Sequence, residues 1–179
     1  MRADSTDYIY EDKLLDGRSI AIRPIHPGDR AYLQDIWQHL SEKSKYYRFF
    51  IPKKELSEQE LSYYSELDFT HHVGLLAIVV EDGVQVPVGS GRYIVSDESA
   101  DRRFAEVALT VEDAYHGLGI GTLLLKHLTE IARAQGIEEL RALVLTENRQ
   151  MLEVFQHCGL PMTSSMGLSG VIEVRLALL

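Results

Sequence analysis

The sequence predicts an α/β protein in which a mixed β-sheet is flanked by helices. Three observations support this fold class. Strand-like and helix-like apolar runs alternate along the chain, an Asp-Gly pair at 82–83 joins two β-rich runs, and the second half has the strand, helix, strand order of a βαβ crossover. With 179 residues, 45% of them hydrophobic and 25% charged, the chain has the composition of a globular domain. We therefore expect a single domain over residues 1–179.

The first half is expected to form a strand, two helices and a hairpin. RSIAIRPI (18–25) alternates its isoleucines loosely with polar residues and meets a Pro-Gly pair, which predicts a strand and then a helix over 29–40. Ser57 stands three residues before Glu60, the spacing of a capping box, so a second helix is predicted to begin there. The Asp-Gly pair at 82–83 predicts the tight turn of the hairpin.

The second half is expected to alternate strands and helices. The predicted elements are a strand over 102–111, a helix from about 119 to 135, a strand over 140–146, a short helix over 148–158 and a closing strand over 171–178. Gly136 follows the longer helix at the position where glycine commonly ends helices.

Composition argues against several classes of function. The formal net charge is −9 and no cluster of Lys and Arg is visible, so binding to nucleic acid is not expected. The single cysteine, Cys158, excludes an intramolecular disulfide and favours a reducing compartment. His71 and His72 have no further ligands at suitable spacing, so no metal site is predicted. Without a signal-peptide core or a membrane-spanning apolar run, we expect a cytoplasmic protein with no membrane partner.

Gly117, Gly119 and Gly121 occupy alternate positions between the strand over 102–111 and the helix that follows. One glycine there could simply relieve crowding between helix and sheet. Three are better explained by a ligand, because a helix N-terminus has unpaired N–H groups and a bare backbone lets phosphate oxygens approach them. The spacing fits neither a dinucleotide fingerprint, which needs glycine at the position of Thr122, nor a P-loop, which needs Lys after the last glycine. We predict a phosphate-bearing ligand.

This stretch resembles the acyl-CoA motif of the GCN5-related N-acetyltransferase (GNAT) family, Gln/Arg-x-x-Gly-x-Gly/Ala, with His116 at the first position. LVLTENRQMLEVFQHCGL also looks like the next strand and helix of that family. The resemblance covers about residues 18–179 and is strongest over 104–160. It implies the GNAT fold, a central mixed and twisted sheet whose middle strands splay apart, and N-acetyltransferase activity with acetyl-CoA as co-substrate and no metal.

The resemblance also implies which residues contact the cofactor. These are Leu109, Val111, His116, Gly117, Leu118, Gly119, Ile120, Gly121, Thr122 and Asn148. The family uses the backbone of the first motif position and of the glycines for the pyrophosphate, the strand edge at Leu109 and Val111 for the pantetheine arm, and an N–H near Leu109 for the oxyanion. Phe155 stands where many members have the tyrosine that protonates the departing thiolate, so another group or water does this, or the thiolate leaves unprotonated.

Three stretches resemble the bacterial protein lysine acetyltransferases that act on acyl-CoA synthetases: LSEKSKYYRFF, AEVALTVEDAYHGLGIG and GVIEVRLAL. In that subgroup the domain is often fused to a regulatory domain, for which 179 residues are not expected to leave room. The resemblance of these three stretches makes a protein lysine the expected acceptor. A small-molecule amine, such as a polyamine or an amino acid, and a catalytically silent acyl-CoA sensor are the alternatives. The early helices, and Tyr93 in the strand before the motif, are candidates for the acceptor side.

Glu106 is the predicted general base. An amine attacks a thioester only as the neutral base, and a lysine amine with a pKa of about 10.4 is almost wholly protonated at pH 7. Glu106 lies in the middle of a largely apolar strand, where a carboxylate is costly unless it is paired or used. The alternative is a solvent-facing residue or an ion pair with Arg102 or Arg103. The lysine acetyltransferases keep their catalytic glutamate at this place, which favours the catalytic role.

Overall fold

The computed structural model describes residues 7–96 and 103–178, in which eight strands form one sheet flanked by five α-helices. The strands are β1 (Tyr10–Lys13), β2 (Ser19–Pro24), β3 (His72–Glu81), β4 (Val84–Ser96), β5 (Phe104–Val111), β6 (Glu139–Leu145), β7 (Met162–Met166) and β8 (Val171–Ala177). The helices are α1 (Arg30–His39), α2 (Glu42–Phe49), α3 (Glu58–Ser65), α4 (Ile120–Ala134) and α5 (Arg149–Gln156).

The sheet is mixed and opens at its middle. Its strand order is β1-β2-β3-β4-β5-β6-β8-β7, and β5 and β6, joined through α4, form the parallel pair of the predicted βαβ crossover. Pairing between these two strands runs only from Phe104 with Glu139 to Glu106 with Arg141. Both strands continue past that point, so their far halves splay apart and leave a gap in the sheet.

Alternation along β3 divides the hydrophobic core between the two faces of the sheet. Val73 and Leu75 belong to the larger core, which also contains the buried side of α4. Leu76 and Ile78 point the other way and pack with the buried residues of α1 and α3. Helices thus cover both faces, and the α/β class predicted from the sequence is confirmed.

The predicted elements are found with small shifts of their ends, and three further elements were not predicted. Ser57 and Glu60 form the capping box of α3, and the 82–83 turn takes left-handed φ values of 50° and 77°. The elements missed are β1, α2 and β7. The helix α2 has no buried residue, and the two strands form opposite edges of the sheet, so none carries a strong apolar period. Within the described residues, no helix is long and apolar enough to cross a membrane.

Candidate active site

The gap between β5 and β6 opens into a cleft of about 1320 Å³. The N-termini of α4 and α5 line one part of it, and α2 and α3 line another. The splay leaves β5 paired with β4 alone from Val107 to Val111, so its other edge is open to a ligand except at the Val111 carbonyl, which accepts a hydrogen bond from His116 Nε2. The cleft therefore has a free strand edge between two helix N-termini and a helical wall.

The glycine loop presents a row of unpaired N–H groups to this cleft. Gly117 and Gly119 have φ values of 76° and 91°, a region that glycine adopts without strain, and α4 begins immediately afterwards at Ile120. In the described part of the chain, no group accepts a hydrogen bond from the backbone N–H groups of residues 117–122. A Cβ atom at Gly117 would meet nothing within 4 Å, so open space lies beside the loop. These features suit the pyrophosphate of acetyl-CoA.

Nearly all of the predicted cofactor residues line the cleft. They are Leu109, Val111, His116, Gly117, Gly119, Ile120, Gly121, Thr122 and Asn148. Leu118 is the exception, because it does not line the cleft, and a role for its backbone N–H stays a prediction. Its carbonyl accepts a hydrogen bond from the Leu15 N–H at 3.1 Å, and its side chain packs against the hydrophobic core.

His116 lies in the cleft, but its backbone is not available as predicted. Its backbone N–H donates to the Asp113 carbonyl at 3.2 Å, because residues 113–115 form a 3₁₀ turn that ends at His116. The imidazole Nε2 lies 2.8 Å from the Val111 carbonyl oxygen and donates to it. The residue therefore connects the end of β5 to the glycine loop, and among these backbone groups only the N–H groups that follow it remain without an acceptor.

Asn148 and Phe155 lie at the α5 side of the cleft. Asn148 is the N-cap of α5, and its Oδ1 accepts a hydrogen bond from the Met151 N–H at 3.3 Å. The residue also lines the cleft, and capping by Oδ1 leaves its amide NH₂ group without a hydrogen-bond partner in the described residues. Phe155 is buried and has no proton to give to a leaving group.

Glu106 is exposed to the cleft at the point where the two strands part. The ion pair with Arg103 considered above is absent, because the Arg103 guanidinium donates to the Gln135 carbonyl oxygen at 2.8 Å. Arg102 lies outside the described residues. Across β4 the neighbour of Glu106 is Ile94, and across β6 it is Arg141. The carboxylate is therefore open to a substrate that enters the cleft.

On the side of the cleft lined by α2 and α3, the structure replaces one predicted residue, Tyr93, with another that the sequence did not single out. Tyr93 is wholly buried, donates a hydrogen bond to Gln135 Oε1 at 2.8 Å and does not line the cleft, so its expected acceptor role is wrong. The preceding residue, Arg92, points to the opposite face and lines the cleft together with Arg48 of α2. The available signal was the charge of Arg92 inside an otherwise apolar and glycine-rich strand.

The two adjacent histidines are engaged in other contacts. His71 Nδ1 lies 3.3 Å from Asp68 Oδ2, and His72 Nε2 lies 3.0 Å from an Arg92 guanidinium nitrogen. Elsewhere among the described residues, one group has potential ligand atoms within 4.8 Å of one another, namely Asp35, His39 and Glu112. The expectation that the protein has no metal site stays a prediction.

Comparison with known proteins agrees with this geometry. Residues 33–160 match the family model described as the acetyltransferase (GNAT) family. The chain is 32% identical to Acetyltransferase PA5475 of Pseudomonas aeruginosa over 143 residues, which are 80% of this chain and 75% of that protein.

Solved structures show the same fold. The GNAT domain of S. lividans PAT is 32% identical and superposes with a TM-score of 0.84 over 94% of this chain and 96% of that domain. The yncA protein of Salmonella typhimurium, solved with its cofactor acetyl-CoA, is 21% identical, with a TM-score of 0.70 over 89% of this chain and 94% of that one. The splayed sheet of this chain is therefore that of the GNAT fold.

Proposed function

The chain belongs to the acetyltransferase (GNAT) family, and we propose that its acceptor is a lysine side chain of a protein, on a target similar to the acyl-CoA synthetases. The observation that carries this proposal is the match to the GNAT domain of S. lividans PAT, which extends over nearly the whole of both chains. The resemblance of three stretches of sequence to the bacterial protein lysine acetyltransferases supports the same acceptor.

Different residues of the cleft have different roles in acetyl transfer. Acetyl-CoA supplies the activated acetyl group as a thioester. The N–H groups of residues 117–122 hold its pyrophosphate. The edge of β5 around Leu109 and Val111, apart from the Val111 carbonyl that His116 occupies, holds the pantetheine arm. Glu106 accepts a proton from the incoming lysine ammonium group, directly or through a water molecule, and so produces the neutral amine that reacts.

The exposure of Glu106 favours catalysis over the silent sensor that was the alternative. A protein that only binds acyl-CoA needs no carboxylate where the strands part, whereas an acetyltransferase needs a proton acceptor there. Release of CoA on addition of amines separates these two functions.

The protein acceptor is tested by incubation with labelled acetyl-CoA and a lysate of the cells from which the protein comes. We expect label on the lysines of one or a few proteins, identified by mass spectrometry, and loss of that label with the Glu106→Gln variant. Label confined to free amines in the low-mass fraction would contradict a protein acceptor and favour the small-molecule alternative.

A further inference from the structure

Arg92 is a buried cation on the same face of the sheet as Glu106. It is 5% exposed and pairs across the ladder with Ala108, one position along the same face from the pair of Ile94 with Glu106. One of its guanidinium nitrogens lies 3.0 Å from His72 Nε2, and the guanidinium carbon lies 4.3 Å from the centre of the Tyr64 ring. These contacts fix its orientation without neutralising its charge.

Arg48 of α2 brings a second positive charge to this part of the cleft. Its guanidinium carbon lies 4.8 Å from the centre of the Phe49 ring. Burial and the nearby Arg48 charge lower the pKa of Arg92 to about 9, and burial also lowers the pKa of Arg48. With a pKa of about 9, Arg92 is still mainly protonated at pH 7.

Neither cation has a counter-ion in the part of the chain that the structure describes, and no carboxylate there, Glu106 included, forms an ion pair with them. Other partly buried arginines are compensated. Arg23 makes a bidentate pair with Asp29 at 2.8 and 2.9 Å, and Arg141, which also lines the cleft, pairs with its neighbour Glu139 at 2.5 Å.

Two neighbouring cations that burial has partly stripped of water are costly unless an anion reaches them. The N–H groups of residues 117–122 are available to the phosphates of the cofactor, whereas Arg92 lies opposite Ala108, next to Glu106, where the proposed mechanism places the acceptor. A polyamine acceptor would bring further positive charge to a site that is already positive. An acceptor that carries a carboxylate would neutralise it, and the planar guanidinium groups suit that geometry.

We propose that Arg48 and Arg92 form a carboxylate-binding subsite beside Glu106, so that preferred acceptors carry a carboxylate close to the reacting amine. In a protein acceptor, this is an Asp or Glu next to the target lysine. In a small-molecule acceptor, it is the carboxylate of an amino acid. The inference rests on the proposed acetyl transfer at this cleft and adds the chemical class of the acceptor.

The test compares acceptors that differ only in this charge. One pair is Nα-acetyl-lysine and Nα-acetyl-lysine amide. A second set is a lysine peptide in which a single Glu is moved through the flanking positions, each with its Gln counterpart. For the wild-type protein we expect kcat/KM for the acidic member of the best pair to exceed that of the neutral member by about 10-fold or more, since hydrogen bonds to charged groups are strong.

Variants assign the preference to the subsite. Arg48→Gln should reduce the ratio of kcat/KM for the acidic acceptor to kcat/KM for the neutral acceptor to below about 3-fold. An unchanged affinity for acetyl-CoA shows that the variant is folded. The matched control is Lys43→Gln, which removes an exposed cation from the lining of the same cleft and should leave the ratio as it is. Equal rates with acidic and neutral acceptors, or an equal loss of preference in both variants, would overturn the subsite.

The outcomes also separate this inference from the proposed function. Acetylation of peptides without a charge preference would support a protein lysine as the acceptor and contradict the carboxylate-binding subsite. Acetylation of free amino acids alone, with the acid preferred over the amide, would support the subsite and contradict a protein acceptor. If none of these acceptors turns over, calorimetric titration in the presence of CoA decides, because the subsite requires Nα-acetyl-lysine to bind more tightly than its amide and equal or absent binding overturns it.

Discussion

Asn148 caps α5 with its side-chain oxygen and also lines the cleft. Asn148→Asp preserves the capping oxygen and places a negative charge at a helix N-terminus, where charge of that sign is favourable. The same change removes the amide N–H donor and adds repulsion toward an anionic cofactor.

We therefore expect Asn148→Asp to keep the wild-type melting temperature but to raise the Michaelis constant for acetyl-CoA by about 10-fold. Thermal unfolding and steady-state kinetics measure the two effects separately. A variant with unchanged stability and an unchanged Michaelis constant would show that Asn148 is a helix cap and nothing more.

Asp68 organises the turn that leads into β3 and to His72. Its Oδ1 accepts hydrogen bonds from the N–H groups of Thr70, His71 and His72 at 2.8 to 2.9 Å. Burial opposes ionisation, but these donors outweigh it and hold the pKa of Asp68 well below its usual range. Because the folded pKa lies below the unfolded value of about 3.9, the ionised carboxylate stabilises the fold above that pH, and the contribution is lost as the pH falls toward the folded pKa.

Asp68→Ala should lower the free energy of unfolding by about 1 kcal/mol at pH 7, in the range of a lost capping side chain. Urea denaturation from pH 7 down to pH 3 should show the difference from wild type shrinking below about pH 4, the unfolded pKa of an aspartate. Asp68→Asn keeps an acceptor oxygen and should lower the free energy of unfolding by less than Asp68→Ala does. A difference that stays constant across this pH range would exclude the ionised carboxylate as its source.

We expect cofactor binding to depend on the N-terminus of α4. Gly117 precedes it in the left-handed region, and Gly136 follows the helix with nearly the same φ, 76° against 77°. A Cβ atom would meet nothing within 4 Å at either position, but only Gly117 lines the cleft. The two glycines are therefore a matched pair for separating backbone strain from obstruction of a ligand.

Alanine at either position should cost about 1–2 kcal/mol of stability, because an L-residue is strained in this conformation. Only Gly117→Ala should also weaken acetyl-CoA binding, by 10-fold or more as measured calorimetrically, a loss of about 1.4 kcal/mol or more. If the two variants bind acetyl-CoA with equal affinity, the glycine loop does not hold the pyrophosphate.

Elements with a strong apolar period or a turn signal could be predicted from the sequence. The helix α4 buries residues at helical spacing along one side, and the Asp-Gly turn fixes the hairpin. The helix α2 packs through partly exposed side chains and buries none fully, so its pattern gave no signal although it begins at a regular Ser41 cap. Because α2 lines part of the cleft, the sequence predicts that side of the cleft least completely.

At the scale of the molecule, the fold brings together residues that are distant in the sequence. The glycine loop and Glu106 could be predicted because they lie in one continuous stretch with a motif. Arg48 and Arg92 line the same cleft only because α2 packs against the sheet at β5, and no local pattern in the sequence indicates this packing. The splay of β5 from β6 then brings the glycine loop, Glu106 and α2 to the lining of one cleft.

The proposed role of Glu106 is decided by the pH dependence of turnover in the Glu106→Gln variant. Glutamine keeps the size of the side chain but cannot accept a proton, so acetyl-CoA affinity should survive while kcat at neutral pH falls by about 10²- to 10⁴-fold. Alkaline buffer supplies more neutral amine, so part of the lost rate should return as the pH rises toward the acceptor pKa of about 10.4. Wild-type turnover at neutral pH, or a deficit that is the same at every pH, would contradict the role of Glu106 as the base of this cleft.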